Sequence, residues 1–381
     1  VKLAVVRARY NPAGGAERFV QLATSALVAN GTECAIVARR WPEDAALQSL
    51  EVIRVDPFYL GRTWRDWSFA RGVHRLFARR AFDLVQSHER IEGLDVYRAG
   101  DGVHADWLER RAARVGPVER LGMRFNLHHR YLCHVERRMF DSPRLRAVVC
   151  NSIMVRDEIR ARFAVPEERL HVIYNGVDLD RFNPIHQEPH RTSMRQRLSI
   201  GANDPVLLFV GSGFERKGLG DAIRALARNE GMTLVVVGHD KHQAHYLEVA
   251  KRLGVLARCR FIGAAADAAP YYALADLLVL PTWYDPFPNV ALEALASGLP
   301  VIVSDACGAR EIVTDGENGY VVPVGQHLLL DERIKRWRAL HGSAAGDAMC
   351  RAARRSAESL GVERMAAQMQ ALYRHLEPGT T

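Results

Sequence analysis

The 381-residue sequence has no apolar run approaching the roughly 20 residues of a membrane-spanning helix. The apolar start, Val1–Val6, is also too short for a signal-peptide core. A cytoplasmic protein is therefore expected. Cysteine is sparse and scattered: Cys34, Cys133, Cys150, Cys259, Cys307 and Cys350 form no C-x-x-C pair and no Cys/His cluster. This argues against structural zinc and for reduced, mostly buried thiols. Lysine is scarce, 5 of 52 basic residues, the rest being Arg. The chain has neither a Walker loop nor a G-x-G-x-x-G fingerprint. It also lacks a recognisable RNA- or DNA-binding motif, so nucleic acid is not the expected partner, although a basic nucleic-acid-binding module remains an alternative.

The net charge is +8, and the excess is local: residues 60–147 hold 18 Arg against 11 Asp and Glu. Within 106–146 there are 10 Arg and 5 acids, interleaved with Trp107, Leu108, Leu121, Phe125, Leu127, Tyr131 and Leu132. Such a segment can lie on an anionic bilayer. It can equally be helices whose apolar stripe packs on a sheet. An anionic acceptor would suit the charge as well. Otherwise the composition, 48% hydrophobic and 25% charged, is that of a globular protein too long for one ordinary core.

Strand and helix patterns alternate twice along the chain. In the first run, strands are expected at Lys2–Val6, Cys34–Ala38, Asp83–Ser87, Val96–Ala99, Leu145–Cys150 and Leu170–Ile173. Helices are expected at 16–29 and 65–80, with a long helical stretch over 105–140 interrupted near Gly116-Pro117. Residues 179–204 are polar and carry prolines, which reads as a linker. The alternation restarts with Val206–Val210. Two doubly wound parallel-sheet domains follow: residues 1–180, a linker at 181–204, and 205–361. A last helix from 362 to 381 has room to cross back to the first domain.

The centre of the second run is Leu277 to Val303: a buried-strand pattern, a loop with Asp285, a helix with Glu293, a Gly298 stop, and another strand. Two carboxylates thus flank a helix N-terminus at the carboxyl end of a parallel strand, where open α/β sheets bind ligands. Gly211-Ser-Gly213 and Arg216-Lys217-Gly218 follow the strand Val206–Val210. Two cations at the start of a helix make sense if a polyanion such as a pyrophosphate sits between them, though a solvated surface pair is the plain alternative. Gly14-Gly15 opens the first helix, either for a phosphate or as an ordinary turn. His88-Glu89 ends a strand; a lone histidine there is more often structural than functional. Asp101 lies in a Gly-Asp-Gly loop and reads as a turn residue. Asp178-Leu-Asp180 reads as structural and not as a metal site.

In this order the motifs resemble the retaining nucleotide-sugar glycosyltransferases of the GT-B fold, in the class carrying an E-x7-E motif. The residues that carry the resemblance are Gly14-Gly15-Ala-Glu17, His88-Glu89, Asn175-Gly-Val-Asp178, Arg216-Lys217-Gly218 and Glu293 to Pro300. Gly93–Tyr97, Gly211–Gly218 and Val237–Lys241 are similar, more narrowly, to the lipopolysaccharide core glucosyltransferase I group, which attaches glucose to inner-core heptose. The resemblance implies two Rossmann-like domains facing across a cleft, and transfer from a UDP-sugar, UDP-glucose above all, to a glycan or glycolipid acceptor, without metal or other cofactor. The basic amphipathic pattern of 105–146, independently of the resemblance, leaves two readings open: peripheral contact with the cytoplasmic face of the inner membrane, or packing on the first sheet. The resemblance would have Glu293 bind the ribose and Asp285, with the backbone at Phe287, Pro288, Asn289 and Val290, hold the transferred sugar. Arg216 and Lys217, helped by Gly14, Gly15 and Gly211, would neutralise the pyrophosphate. His88 would touch the sugar, and Glu17, Glu89 and Asp101 would lie on the acceptor side. The family's first acid is usually Glu, and here it is Asp285. A glycosidase also uses two carboxylates, but it would leave Arg216-Lys217 idle; a nucleotide-sugar epimerase on the same fold would convert donor without any acceptor.

Overall fold

The computed structural model describes residues 2–9, 15–41 and 50–377, without the side chains of 15–19, 21 and 186–189. It divides into two compact units, Val1–Gly176 together with Val362–Thr381, and Val177–Gly361. The first holds β1 (Lys2–Val6), β2 (Glu33–Ala38), β3 (Glu51–Arg54), β4 (Leu84–Ser87), β5 (Val96–Ala99), β6 (Ala147–Cys150) and β7 (Leu170–Val172). They form one parallel sheet in the order β3-β2-β1-β4-β5-β6-β7. β1, β2, β4, β5 and β6 are buried along most of their length, with Gln86, Ser87 and Arg98 as polar residues among otherwise largely apolar ones, as strands covered on both faces must be. β3, Glu-Val-Ile-Arg, is the exception. It is an exposed edge strand, and its composition gave no signal for it.

The helix Val362–His375 belongs to this first unit. Its Val362, Met365, Ala366, Met369, Leu372 and Tyr373 join the apolar core formed with Leu3, Val5, Val20 and Leu27. The chain reaches it past Gly176, where a Cβ would stand 2.6 Å from the Cα of Val362. The basic stretch is three helices, His104–Ala112, Pro117–Phe125 and Leu127–Phe140. The break at Gly116-Pro117 was expected. The second break was not: Asn126 caps the third helix by accepting the N–H groups of His128 and His129.

The second unit contains β8 (Val206–Val210), β9 (Thr233–Val237), β10 (Cys259–Gly263), β11 (Leu277–Leu280), β12 (Val301–Ser304) and β13 (Gly319–Val322). Their parallel order is β10-β9-β8-β11-β12-β13. In both sheets the winding reverses once, between β1 and β4 and between β8 and β11.

Residues 181–204 are not a plain linker. They contain the helix Pro184–Arg197, inside the second unit. Asn183 caps it by accepting the N–H of Ile185, and Pro184 takes the first-turn position, where it costs nothing. Arg191 and Arg195, one turn apart, then reach the buried Asp276 at 2.5 and 2.7 Å. The same carboxylate accepts the N–H of Val206 at the start of β8, at 2.8 Å. Asp276 therefore ties this helix to the sheet. Replacing it by Ala would leave a buried guanidinium without its counter-charge, at a cost of about 3–5 kcal/mol. Urea unfolding of Asp276→Ala should show a loss of that order, with Asn recovering only part of it.

Candidate active site

Two loops meet at the switch point of the second sheet. One follows β8, the other β11. In the first, Gly213 precedes a single helical turn, Phe214–Lys217, and Gly218 separates it from the helix Leu219–Arg228. Arg216 and Lys217 thus end a short turn; they were expected at the start of a helix. Gly218 has φ +79°, and a Cβ there would lie 2.2 Å from the carbonyl oxygen of Pro281, at the end of β11. Only glycine lets the two loops close to this distance. Gly211, directly after β8, lies under the Lys217 side chain, whose Cε would be 2.9 Å from a Cβ.

The β11 loop is laced to the first. The Thr282 hydroxyl and the Trp283 N–H both donate to the Arg216 carbonyl, at 2.9 and 2.8 Å. Arg216 donates in return to the Tyr284 carbonyl at 2.8 Å. On the other side, the Asp285 N–H donates to the Ala306 carbonyl and the Gly308 N–H to the Asp285 carbonyl. Asp285 is held by its backbone on both sides.

Asp285 is 6% exposed. One oxygen, Oδ2, lies 3.0 Å from both Lys217 Nζ and Arg216 NH1. Burial by itself would raise the pKa of Asp285. Lys217 and then Arg216 outweigh it, and the net direction is downward. The acid is therefore an anion bonded to two cations. Lys217 is nearly buried, whereas the Arg216 side chain is 38% exposed.

Phe287 and Pro288 are buried and Asn289 and Val290 half-buried. The helix Asn289–Ala296 starts directly after Pro288, without a side-chain cap among the described residues, so its positive end faces the loop. Glu293 lies one turn inside and is half-buried. Tyr272, from the helix Ala269–Leu274, donates its hydroxyl to Glu293 Oε2 at 2.6 Å. Sequence reading missed Tyr272. A buried tyrosine in an apolar helix needs a partner for its hydroxyl, and that was the available signal. Gly298, φ +71°, follows the helix and turns the chain back toward β12.

At the switch point of the first sheet, Gly15 begins the helix Gly15–Ala29; Gly14 and the Glu17 side chain lie outside the described residues. His88 follows β4, its N–H donating to the Val6 carbonyl of β1. Glu89 accepts the N–H of Ala8 at 2.9 Å. Arg7, which sequence reading also passed over, stands 3.7 Å from Glu89 and 3.4 Å from Asp101. His88, Glu89 and Asp101 therefore lie in one region, with Arg7 joining the two acids. Burial, then Arg98 and Arg7, hold the His88 pKa well below the usual imidazole range.

Asp178 accepts the N–H groups of Asp180 and Arg181, a local turn. Among the described residues no group of three or more His, Cys, Asp or Glu could hold a metal ion, and no helix is long and apolar enough to cross a membrane.

Residues 13–181 match Glycosyltransferase Family 4, and residues 190–354 match Glycosyl transferases group 1. Lipopolysaccharide glucosyltransferase WaaG of Escherichia coli K12 is 28% identical over 84% of this chain and 85% of its own. The crystal structure of a WaaG, a glycosyltransferase involved in lipopolysaccharide biosynthesis, superposes with a TM-score of 0.84 at 26% identity, over 97% of this chain and 99% of that one. HepE of Anabaena, solved with UDP and glucose, shares the fold at a TM-score of 0.75 and 21% identity, over 98% and 99% of the two chains. Two parallel-sheet units, the Asp285 loop and the Glu293 helix at a switch point, and these matches across most of the chain lead to one conclusion: the protein belongs to the GT-B glycosyltransferases, with a family 4 N-terminal half and a group 1 C-terminal half.

Proposed function

We propose that this glycosyltransferase moves glucose from UDP-glucose to an acceptor in the lipopolysaccharide inner core, with retention and without a metal. The observation that carries the donor half is the ion triad. Lys217 and Arg216 are already gathered around one anion, just before the helix Leu219–Arg228, which is where a diphosphate would need them. Bond cleavage at the sugar places growing charge on the leaving diphosphate. Cations fixed there stabilise the transition state more than the ground state and supply the neutralisation a metal would otherwise give. Asp285, with the backbone from Phe287 to Val290, is assigned to hydroxyls of the transferred sugar. Glu293, oriented by Tyr272, is assigned to the ribose. Gly14, Gly15 and Gly211 are assigned to the phosphates and His88 to the sugar, with Glu17, Glu89 and Asp101 on the acceptor side. Retention follows if the acceptor attacks from the leaving-group face and a donor phosphate oxygen takes its proton. The choice of glucose and of the inner core rests on the likeness to WaaG.

We also propose that 105–146 rests on the anionic cytoplasmic face of the inner membrane. The helices His104–Ala112 and Pro117–Phe125 bury no residue. Val118, Leu121, Phe125 and Leu127 are 57–86% exposed, amid Arg111, Arg120, Arg124 and Arg130. An apolar face bordered by cations complements an anionic bilayer.

UDP release and product formation, followed with UDP-glucose and a panel of UDP-, GDP- and ADP-sugars, test the reaction; donor turnover without acceptor would favour an epimerase. Lys217→Ala should lower kcat/KM by about 10²–10³-fold and, by leaving the buried Asp285 carboxylate with Arg216 alone, should also lower the melting temperature; near-normal transfer by the folded variant would remove Lys217 from the phosphate site. Asp285→Glu should keep transfer or change donor preference, whereas indifference to every substitution at Asp285 would exclude it from the sugar site. Changing Arg111, Arg120 and Arg124 to Gln should weaken co-sedimentation with phosphatidylglycerol vesicles, and more so at low salt. Unchanged binding would leave that face to another role.

A further inference from the structure

Behind His88 lies a chain of polar groups that the proposed reaction does not use. Tyr373, on the helix Val362–His375, is 1% exposed, and its hydroxyl donates to Gln86 Oε1 at 2.8 Å. Gln86, on β4, is 3% exposed. Two residues apart on an extended chain, Gln86 and His88 share a face, and Gln86 Nε2 stands 3.1 Å from His88 Nε2. An amide nitrogen can only donate. The imidazole Nε2 facing it must accept, and so carries no proton.

The orientation of the amide decides this: Gln86 Oε1 accepts from Tyr373, which leaves Nε2 for His88. Arg98 is 2% exposed and lines the same small cavity as Tyr373, Gln86 and His88. Its charge pulls the Tyr373 pKa down against the larger upward effect of burial. A positive charge in the same cavity favours a phenol O–H that points away from it, and Tyr373 donates to Gln86. The amide must then present its oxygen to Tyr373 and its nitrogen to His88. Protonating His88 on Nε2 would set two donors against each other, beside Arg98 and Arg7.

We propose that Tyr373 and Gln86 are positioning residues that hold His88 as the neutral tautomer protonated on Nδ1. A ligand at His88 then meets a hydrogen-bond donor of fixed direction, not a base. That agrees with a reaction in which the donor phosphate takes the acceptor's proton. The tautomer stands independently of the function proposed above; only its effect on turnover rests on that reading.

Long-range proton–nitrogen NMR of the full chain, with His88 assigned through His88→Gln, tests the inference. Near pH 7 the wild type should show a protonated Nδ1 and a bare Nε2. Tyr373→Phe frees the amide and should mix the two tautomers. Gln86→Glu presents only acceptors and should move the proton to Nε2. A wild-type proton on Nε2, or an unchanged tautomer in either variant, overturns the proposal. In the same variants kcat should fall about 10- to 100-fold with the donor KM little changed. A shifted tautomer with normal turnover would uphold the relay and remove His88 from the chemistry.

Discussion

A carboxylate with almost no exposure can persist as an anion only if its neighbours compensate it. Asp285 meets this condition through two cations on one oxygen. Breaking such a buried group from its partners is strongly destabilising, and much of the surrounding backbone follows from keeping it together. The β8 loop must fold over the end of β11, which requires glycine at 218, and the Lys217 stem must pass over residue 211, which requires glycine there as well. The Arg216 carbonyl then collects Thr282 and Trp283, and Ala306 and Gly308 fix Asp285 from the far side. The ion triad is the centre of a three-loop construction.

The same arrangement has a chemical consequence. Cations already oriented around one anion need little reorganisation to receive another, and preorganisation of this kind is the largest single contribution in many enzymes. Glu293 has a different neighbourhood. It is half-buried and held through a tyrosine hydroxyl, a setting for hydrogen bonds to neutral hydroxyls. Two acids eight residues apart on one loop and helix thereby have different surroundings, one paired with cations and one with a hydroxyl. In the first unit the contrast recurs: Glu89 is joined to Arg7 and to backbone, while His88 faces a cation and an amide.

Legibility in the sequence tracked burial on both faces. β1, β5 and β8 were readable to the residue, since each is a short, largely apolar run bounded by turn residues. β3 was not readable, because an edge strand needs no apolar pattern. The helix Pro184–Arg197 was hidden by its prolines and polar residues; it is held by Arg191 and Arg195 reaching Asp276, about 80 residues away. The break at Asn126 was a capping asparagine inside a stretch whose periodicity ran on. Among the candidate site residues, Asp285, Glu293, Arg216 and Lys217 stood out by motif. Tyr272, Arg7, Gln86 and Tyr373 did not, since each acts through a partner distant in the chain.

By itself the sequence determined the alternation of strand and helix, hence two parallel-sheet units, and the spacing that puts Asp285 before a helix and Glu293 within it. These are local properties, governed by periodicity and turn chemistry over a few residues. The tertiary structure alone decided that β8 and β11 are neighbours, which brings Arg216 to Asp285 across 69 residues, and that Tyr373 reaches Gln86 across 287. Strand order is set by long-range pairing, and no local pattern encodes which strand lies beside which.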